Sequence, residues 1–211
     1  MELPEQLPLF PLPNVVLFPG VPLPLHVFEP RYRALVRDVR GSHRLVGMTL
    51  LRGDWKPRYF ENPEIFAVGC AGKITELEEL PDGRFFLLLE GVREFTVLSE
   101  DRSRPYRVAR VAWRDALEAE TPLAPELRAR ILERLRLCPP PGVDDRVRRV
   151  LETAGDGFLV NFFCHALDTE PVEKQALLEA PSLGERARRL CDVLDFLAHL
   201  RTRGRRDEPP H

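Results

Sequence analysis

Lysine and serine are scarce in this 211-residue chain, with only Lys56, Lys73 and Lys174 of the one and Ser42, Ser99, Ser103 and Ser182 of the other. No serine lies in Gly-x-Ser-x-Gly or in a local signature with a lysine, so nothing announces a serine nucleophile. A phosphate-binding loop is missing too. Its nearest match, Gly69-Cys70-Ala71-Gly72-Lys73-Ile74, is too short and lacks the hydroxyl that would hold magnesium. No apolar run reaches the ~20 residues that cross a bilayer. The opening MELPEQ is acidic and has no basic stretch leading into an apolar core, so it does not read as a signal peptide. The four cysteines, Cys70, Cys138, Cys164 and Cys191, are far apart and set among apolar residues. They read as buried thiols of a reducing, cytoplasmic setting, not as disulfides or a metal site. The net charge of −2 gives no global electrostatic case for nucleic acid.

Few candidates for chemistry remain. Cys164-His165 pairs a nucleophile with a base. On a helix, however, neighbouring side chains point about 100° apart, and Cys164 falls beside an apolar stripe, so it reads as core. His26, in Leu-His-Val-Phe, reads as a satisfied structural histidine in a strand. Among the paired carboxylates, Glu78-Glu79 precedes a turn, Asp144-Asp145 begins a helix and Glu118/Glu120 lies in a linker. A solvated turn and a helix cap explain the first two without catalysis. The chain is expected to be no enzyme and to need no cofactor or metal.

Proline and arginine are abundant. The 31 basic residues less the three lysines leave 28 arginines, whose planar fork makes bidentate contacts that lysine cannot. Prolines at 8, 11, 13, 19, 22, 24 and 30 interrupt apolar β-type runs in Leu7–Val36. Proline cannot donate to a ladder, so this opening predicts several short strands joined by corners, as in a small barrel. One helix follows, begun by Glu29-Pro30-Arg31, faced by Tyr32, Leu35, Val36 and Val39, and ended by Gly41. Leu45–Leu51 and Tyr106–Trp113 read as strands. Ile65–Leu80 and Phe85–Leu98 flank Pro81-Asp82-Gly83-Arg84, a hairpin turn. Residues 52–63 read as a loop packed on the barrel.

Past a linker near Glu118–Pro125 the apolar period changes from 2 to 3.6. Leu127, Ile131, Leu132 and Leu135 mark one helix, stopped at Cys138–Gly142. Val147, Val150 and Leu151 mark a second, capped by Asp144 or Asp145. Phe158, Phe162 and Phe163 mark a third, expected to be buried. Pro171 opens a short fourth. Ser182-Leu183-Gly184-Glu185 caps a last helix with Leu190, Leu194 and Leu197 on its face. The expected organisation is a β-rich part over 1–117, a helical part over 118–202 and a disordered tail over 203–211.

LPLFPLPNVVLFPG with PLPLHVFEPRYRALV, the Phe28-Glu29-Pro30-Arg31-Tyr32 corner, Val46–Met48, IFAVGCAGKI at 65–74, DGRFFLLLEGVREFTV at 82–97, YRVARV at 106–111 and KQALLEAPSLGERARRLCDVL from 174 occur together. As a set these motifs resemble the N-terminal, substrate-binding domain of Lon proteases. The resemblance spans about residues 5–200 and implies an α+β fold: a PUA-like pseudo β-barrel followed by an α-helical bundle subdomain. It also implies a stand-alone, non-catalytic module that binds unfolded polypeptide, with a protease or chaperone as partner. Phe10, Phe18, Phe28 and Tyr32 are candidates for an apolar groove, though each could equally fill the core. Glu29, Pro30 and Arg31 would form a structural corner. Unpaired strand edges would let extended peptides add by backbone hydrogen bonds. The alternative is RNA binding by the PUA-like barrel, kept open by arginines at 146–149 and 201–206.

Overall fold

The computed structural model describes residues 3–115, 122–137, 139–140 and 142–204, with side chains described as far as residue 199. The tail beyond 204, Cys138 and the linker at 118–121 lie outside the described residues. The rest falls into two compact units, one within Met1–Ala116 and Thr169–Glu179, the other within Leu117–Asp168 and Ala180–His211.

The first unit is a six-stranded sheet. Its strands are β1 (Gln6–Leu12), β2 (Pro22–Val27), β3 (Leu45–Leu50), β4 (Val68–Glu79), β5 (Phe85–Asp101) and β6 (Val108–Trp113). They lie in the order β2-β5-β4-β3-β1-β6, and β6 pairs again with β5. The 17-residue β5 makes this closure possible. Its first half, Phe85–Glu90, pairs with β2, while Phe95–Asp101 pairs with β6. Strands β1, β3, β4, β5 and β6 therefore close a ring, which removes their edges, and β2 extends the sheet beside β5. Within the ring, Leu7, Leu9, Leu45, Ala71, Phe95, Ala109 and Val111 form the core.

The local signals act as expected. Gly83 takes φ +76 in the hairpin turn, where Leu80 N–H donates to Arg84 O and Gly83 N–H to Leu80 O, both at 2.8 Å. Helix α1 (Pro30–Val39) buries Tyr32, Leu35, Val36 and Val39, the whole of its expected stripe. Arg37 and Arg40 of this helix reach Glu79 at 3.5 and 2.9 Å.

The second unit holds α2 (Pro125–Leu137), α3 (Asp145–Thr153), α4 (Asp156–Ala166) and α6 (Leu183–Gly204). Asp144 caps α3 by accepting from the N–H groups of Arg146 and Val147. Ser182 Oγ accepts from Glu185 N–H at 3.2 Å. The arginines bind the helices to one another. Arg128 pairs with Asp156 and donates to the carbonyls of Glu152 and Ala154. Arg130 and Arg134 share Asp195, and Arg186 donates to Asn161 Oδ1 at 2.6 Å. Fixed guanidinium forks suit such carbonyl and carboxylate contacts.

Three sequence expectations need correction. Helix α5 (Pro171–Leu178) lies with the strands, because Gln175 Nε2 donates to Val68 O at 3.0 Å. Of the three phenylalanines, only Phe163 is buried, while Phe158 and Phe162 are half-buried. Val150 is 56% exposed, so α3 turns only Leu151 fully inward.

Candidate functional site

The opening segment splits its four candidate aromatics by strand parity and packing. Phe10 and Tyr32 are buried and stacked at 4.0 Å, and Tyr32 Oη donates to Pro11 O. Phe18 is wholly buried under the turn at Pro19-Gly20. These three are core in this conformation. Phe28 alone is open, at 58% exposure. Of the four, Phe28 presents its ring to solvent and the other three do not.

Phe28 has company that the sequence reading did not assign. The ring of His26, which is exposed, stacks on Phe86 at 4.6 Å and lies 5.8 Å from Phe28. Phe86 is itself 47% exposed. An open groove of about 620 Å³ runs over β2, β5 and β4, lined on their outer face by Pro24, His26, Phe86, Leu88, Glu76 and Glu78 and between them by Leu25, Leu77 and Leu87. The signal was present in Phe85-Phe86-Leu87-Leu88-Leu89. Strand side chains alternate faces, so an unbroken apolar run must put some of them outside. Phe85, Leu87 and Leu89 go inward, and Phe86 and Leu88 outward.

A bulge sets the other side of the groove. The β4–β5 register runs Ile74↔Leu89, Glu76↔Leu88, Leu77↔Leu87 and Glu78↔Phe86, so Thr75 is the extra residue. Without it, Glu76 would pair with Leu87 and share the buried face. With it, Glu76 and Glu78 stand beside Leu88 and Phe86. The Glu78-Glu79 pair thus divides, since Glu79 takes the arginines of α1.

Among the described residues β2 pairs only with β5, yet its open edge is a poor template. Pro22 and Pro24 have no N–H, and prolines fit a strand with that missing donor on the unpaired side. Of the alternate positions 22, 24 and 26, only His26 can donate there. The expected addition of an extended peptide along this edge would lack most of its donors.

The Glu29-Pro30-Arg31 corner holds residues 52–63 beside α1. Glu29 occupies the helix N-cap but makes no side-chain cap bond. Its carboxylate accepts instead from Tyr59 Oη at 2.7 Å and Arg31 Nε at 3.0 Å. The Arg31 guanidinium lies over the rings of Tyr32 and Tyr59 at 4.5 and 4.8 Å. From the barrel, buried Arg107 donates to Asn62 Oδ1 and Pro63 O. Burial pulls its guanidinium below the usual arginine range, partly offset by Glu100 at 3.3 Å.

All three tyrosines of the chain, Tyr32, Tyr59 and Tyr106, resist ionisation. Burial is the main cause in each. Hydrogen bonds to Glu29 and Asp38 add to it for Tyr59 and Tyr106. The folded phenol titrates above the unfolded one, so its contribution is present below about pH 10 and lost as pH rises further. For Tyr32, 3% exposed, the loss should approach about 1.4 kcal/mol per pH unit. Denaturant midpoints between pH 9 and 11.5 should fall less steeply for Tyr32→Phe than for the parent chain; identical slopes would remove Tyr32 as the source.

The other sequence candidates are explained by packing. Cys70, Cys164 and Cys191 are buried thiols. Asp144 is a cap. Among the described residues, no cluster of His, Cys, Asp or Glu is placed to hold a metal ion, and no helix is long and apolar enough to cross a membrane.

Comparison with known proteins agrees with this architecture. A family model for the ATP-dependent protease La (LON) substrate-binding domain matches residues 6–195. The Lon protease of Cytophaga hutchinsonii is 27% identical over 200 residues, which cover 92% of this chain and 24% of that protein. Lon protease 2 of Myxococcus xanthus is 27% identical over 207 residues, 92% of this chain and 24% of that one. The chain therefore spans about a quarter of the length of these relatives. The crystal structure of a Lon N-terminal domain protein from Xanthomonas campestris superposes with a TM-score of 0.65 at 28% identity, covering 88% of this chain and 96% of that one. The N-terminal domain of Mycobacterium avium complex Lon protease shares the fold, with a TM-score of 0.67 at 16% identity over 90% of this chain and 98% of that one. With its pseudo-barrel, its helical unit and a family match over nearly its whole length, the chain belongs to the Lon substrate-binding domain family.

Proposed function

We infer that this chain is a non-catalytic binding module for unfolded or partly folded polypeptide and delivers it to an ATP-dependent protease as an adaptor. The observation that carries the reading is the open groove on β2, β5 and β4, lined by exposed His26 and Phe86, with exposed Phe28 flanking it 5.8 Å from the His26 ring. Solvent-facing aromatics gathered on one sheet face mark a contact surface more than a fold requirement. The groove is shallow and open, so it suits side chains of an extended segment and not a small enclosed ligand.

Apolar contact should dominate, leaving affinity for an unfolded client weak and far less sensitive to salt than nucleic-acid binding. RNA would behave oppositely, because phosphate contacts weaken steeply as salt rises. Removing both aromatics, in Phe28→Ser with Phe86→Ser, should weaken binding of a carboxymethylated, permanently unfolded protein about tenfold, the worth of partly burying two rings. The melting temperature should hardly move, since both rings already face solvent. Fluorescence anisotropy with the labelled client checks the first point and calorimetry the second. Unchanged affinity in the double variant would remove the groove from the function.

A further inference from the structure

We propose that the groove selects extended segments in which an aromatic or aliphatic side chain is accompanied by a lysine or arginine two residues away. This rests on the polypeptide-binding reading and gives the client its chemistry. The groove has two unlike sides. Toward β2 lie Pro24, His26, Phe86 and Leu88, with Phe28 flanking them beside His26; toward β4 lie Glu76 and Glu78. The acids are placed there by the extra residue Thr75, whose hydroxyl donates to Leu88 O at 3.2 Å. Bulges that re-aim side chains tend to serve a site. Here the bulge moves two carboxylates from the barrel's inner face to the edge of an aromatic surface.

Neither carboxylate makes an ion pair among the described residues, in contrast to Glu79 beside them, which meets Arg37 and Arg40. Lys73, on the same strand, pairs in register with Glu90 at the far end of the groove. Two uncommitted negative charges beside an apolar surface are complementary to a cation on whatever occupies it. The spacing agrees. Neighbouring strands are about 4.8 Å apart, and same-side residues of an extended chain about 7 Å apart. An extended segment crossing the strands can rest one apolar side chain on Phe86 and bring the next same-side residue over Glu76 or Glu78. The long stem of lysine or arginine covers apolar surface while its head reaches the carboxylate. The same charges repel a phosphate backbone and so set this face against RNA.

The test uses the full chain and three labelled peptides of one length, with alternating phenylalanine and leucine. The intervening same-side positions carry lysine, glutamine or glutamate. Two exposed ion pairs correspond to about a three- to tenfold advantage for the lysine peptide over the glutamine peptide at low salt. That advantage should vanish at high salt and in Glu76→Gln with Glu78→Gln, and turn toward the glutamate peptide in Glu76→Lys with Glu78→Lys. Equal binding of lysine and glutamine peptides, or a preference that survives the glutamine variant, overturns the charge selection. The polypeptide reading still stands in that case if Phe28→Ser with Phe86→Ser weakens all three peptides. If no peptide binds, both ideas fall. A single-stranded oligonucleotide that competes for the groove, or concentration-dependent pairing of two copies that ends in the serine variant, would also overturn the proposal by naming another occupant.

Discussion

Gly91→Ala is expected to destabilise the protein by about 3–5 kcal/mol, although the added group is one methyl. Gly91 lies in β5 where Phe18-Pro19-Gly20-Val21 turns across it. A methyl carbon on Gly91 would lie 2.0 Å from the Phe18 carbonyl oxygen, 2.8 Å from its carbon and 3.1 Å from Pro19 Cα. These neighbours are backbone, so no rotamer change can make room. The same turn is held by hydrogen bonds from Gly20 N–H to Gly91 O at 2.8 Å and from Gly91 N–H to Val21 O at 3.1 Å. Separating the two segments costs about 1–3 kcal/mol of overpacking. Stretching two buried hydrogen bonds adds about 0.5–1.5 kcal/mol each. Since whole domains are stable by only about 5–15 kcal/mol, the urea midpoint should fall sharply. A midpoint within experimental error of the parent's would show that the turn yields freely.

Gly91 also illustrates what the sequence hides. The proline-rich opening predicts short strands and corners, and the chain forms them. It does not say that the corner at Pro19-Gly20 folds down onto a strand seventy residues later, because that approach depends on ring closure. Local signals were legible: the Asp82-Gly83 turn, the Pro30 start and apolar stripe of α1, and the Asp144 cap. Each depends on residues within a few positions. The fold class was legible mainly because the motifs occur as a set, from the Phe28–Tyr32 corner to the closing helices.

The candidate site was legible only in part. Proximity in sequence groups Phe28 with Phe10, Phe18 and Tyr32, whereas in the fold it flanks His26 of its own segment, on which Phe86 of the paired strand β5 stacks. Alternation could have exposed Phe86, as argued for the Phe85–Leu89 run. It could not have placed Glu76 and Glu78. Simple alternation from Ile74 puts both acids on the buried face, which physics forbids without partners. The resolution is the bulge at Thr75, a one-residue change in phase that no period-2 reading can supply. Glu29 shows a related limit. Its position at a helix start suggests a cap, but Tyr59, thirty residues away, takes the carboxylate.

Phe95→Ala should cost about 3–5 kcal/mol, the usual loss for a fully buried phenylalanine, and its cost should depend on a glycine on the facing strand. Phe95 is wholly buried at the centre of the ring, with Leu7, Leu9, Leu45, Ala71, Ala109 and Val111 around it. Trp113 meets it edge-on at 6.2 Å and is anchored by a bond from its indole N–H to Pro4 O at 2.9 Å. The ring occupies the space that Gly47 leaves open. A methyl carbon on Gly47 would lie 2.9 Å from Phe95 Cζ and 2.7 Å from Leu9 Cδ2. Both obstacles are side-chain ends, unlike the backbone that faces Gly91. Gly47→Ala alone should therefore cost about 1–3 kcal/mol as an overpacking change. In a chain that already carries Phe95→Ala, the Leu9 side-chain end can shift into the vacated space and make room for the new methyl, so the second substitution should cost little or restore some stability. The two changes should then be non-additive by at least about 1 kcal/mol in a double-mutant cycle read from denaturant unfolding. Additivity within about 0.5 kcal/mol would mean that the two residues do not share one volume, and the barrel interior would need a different account.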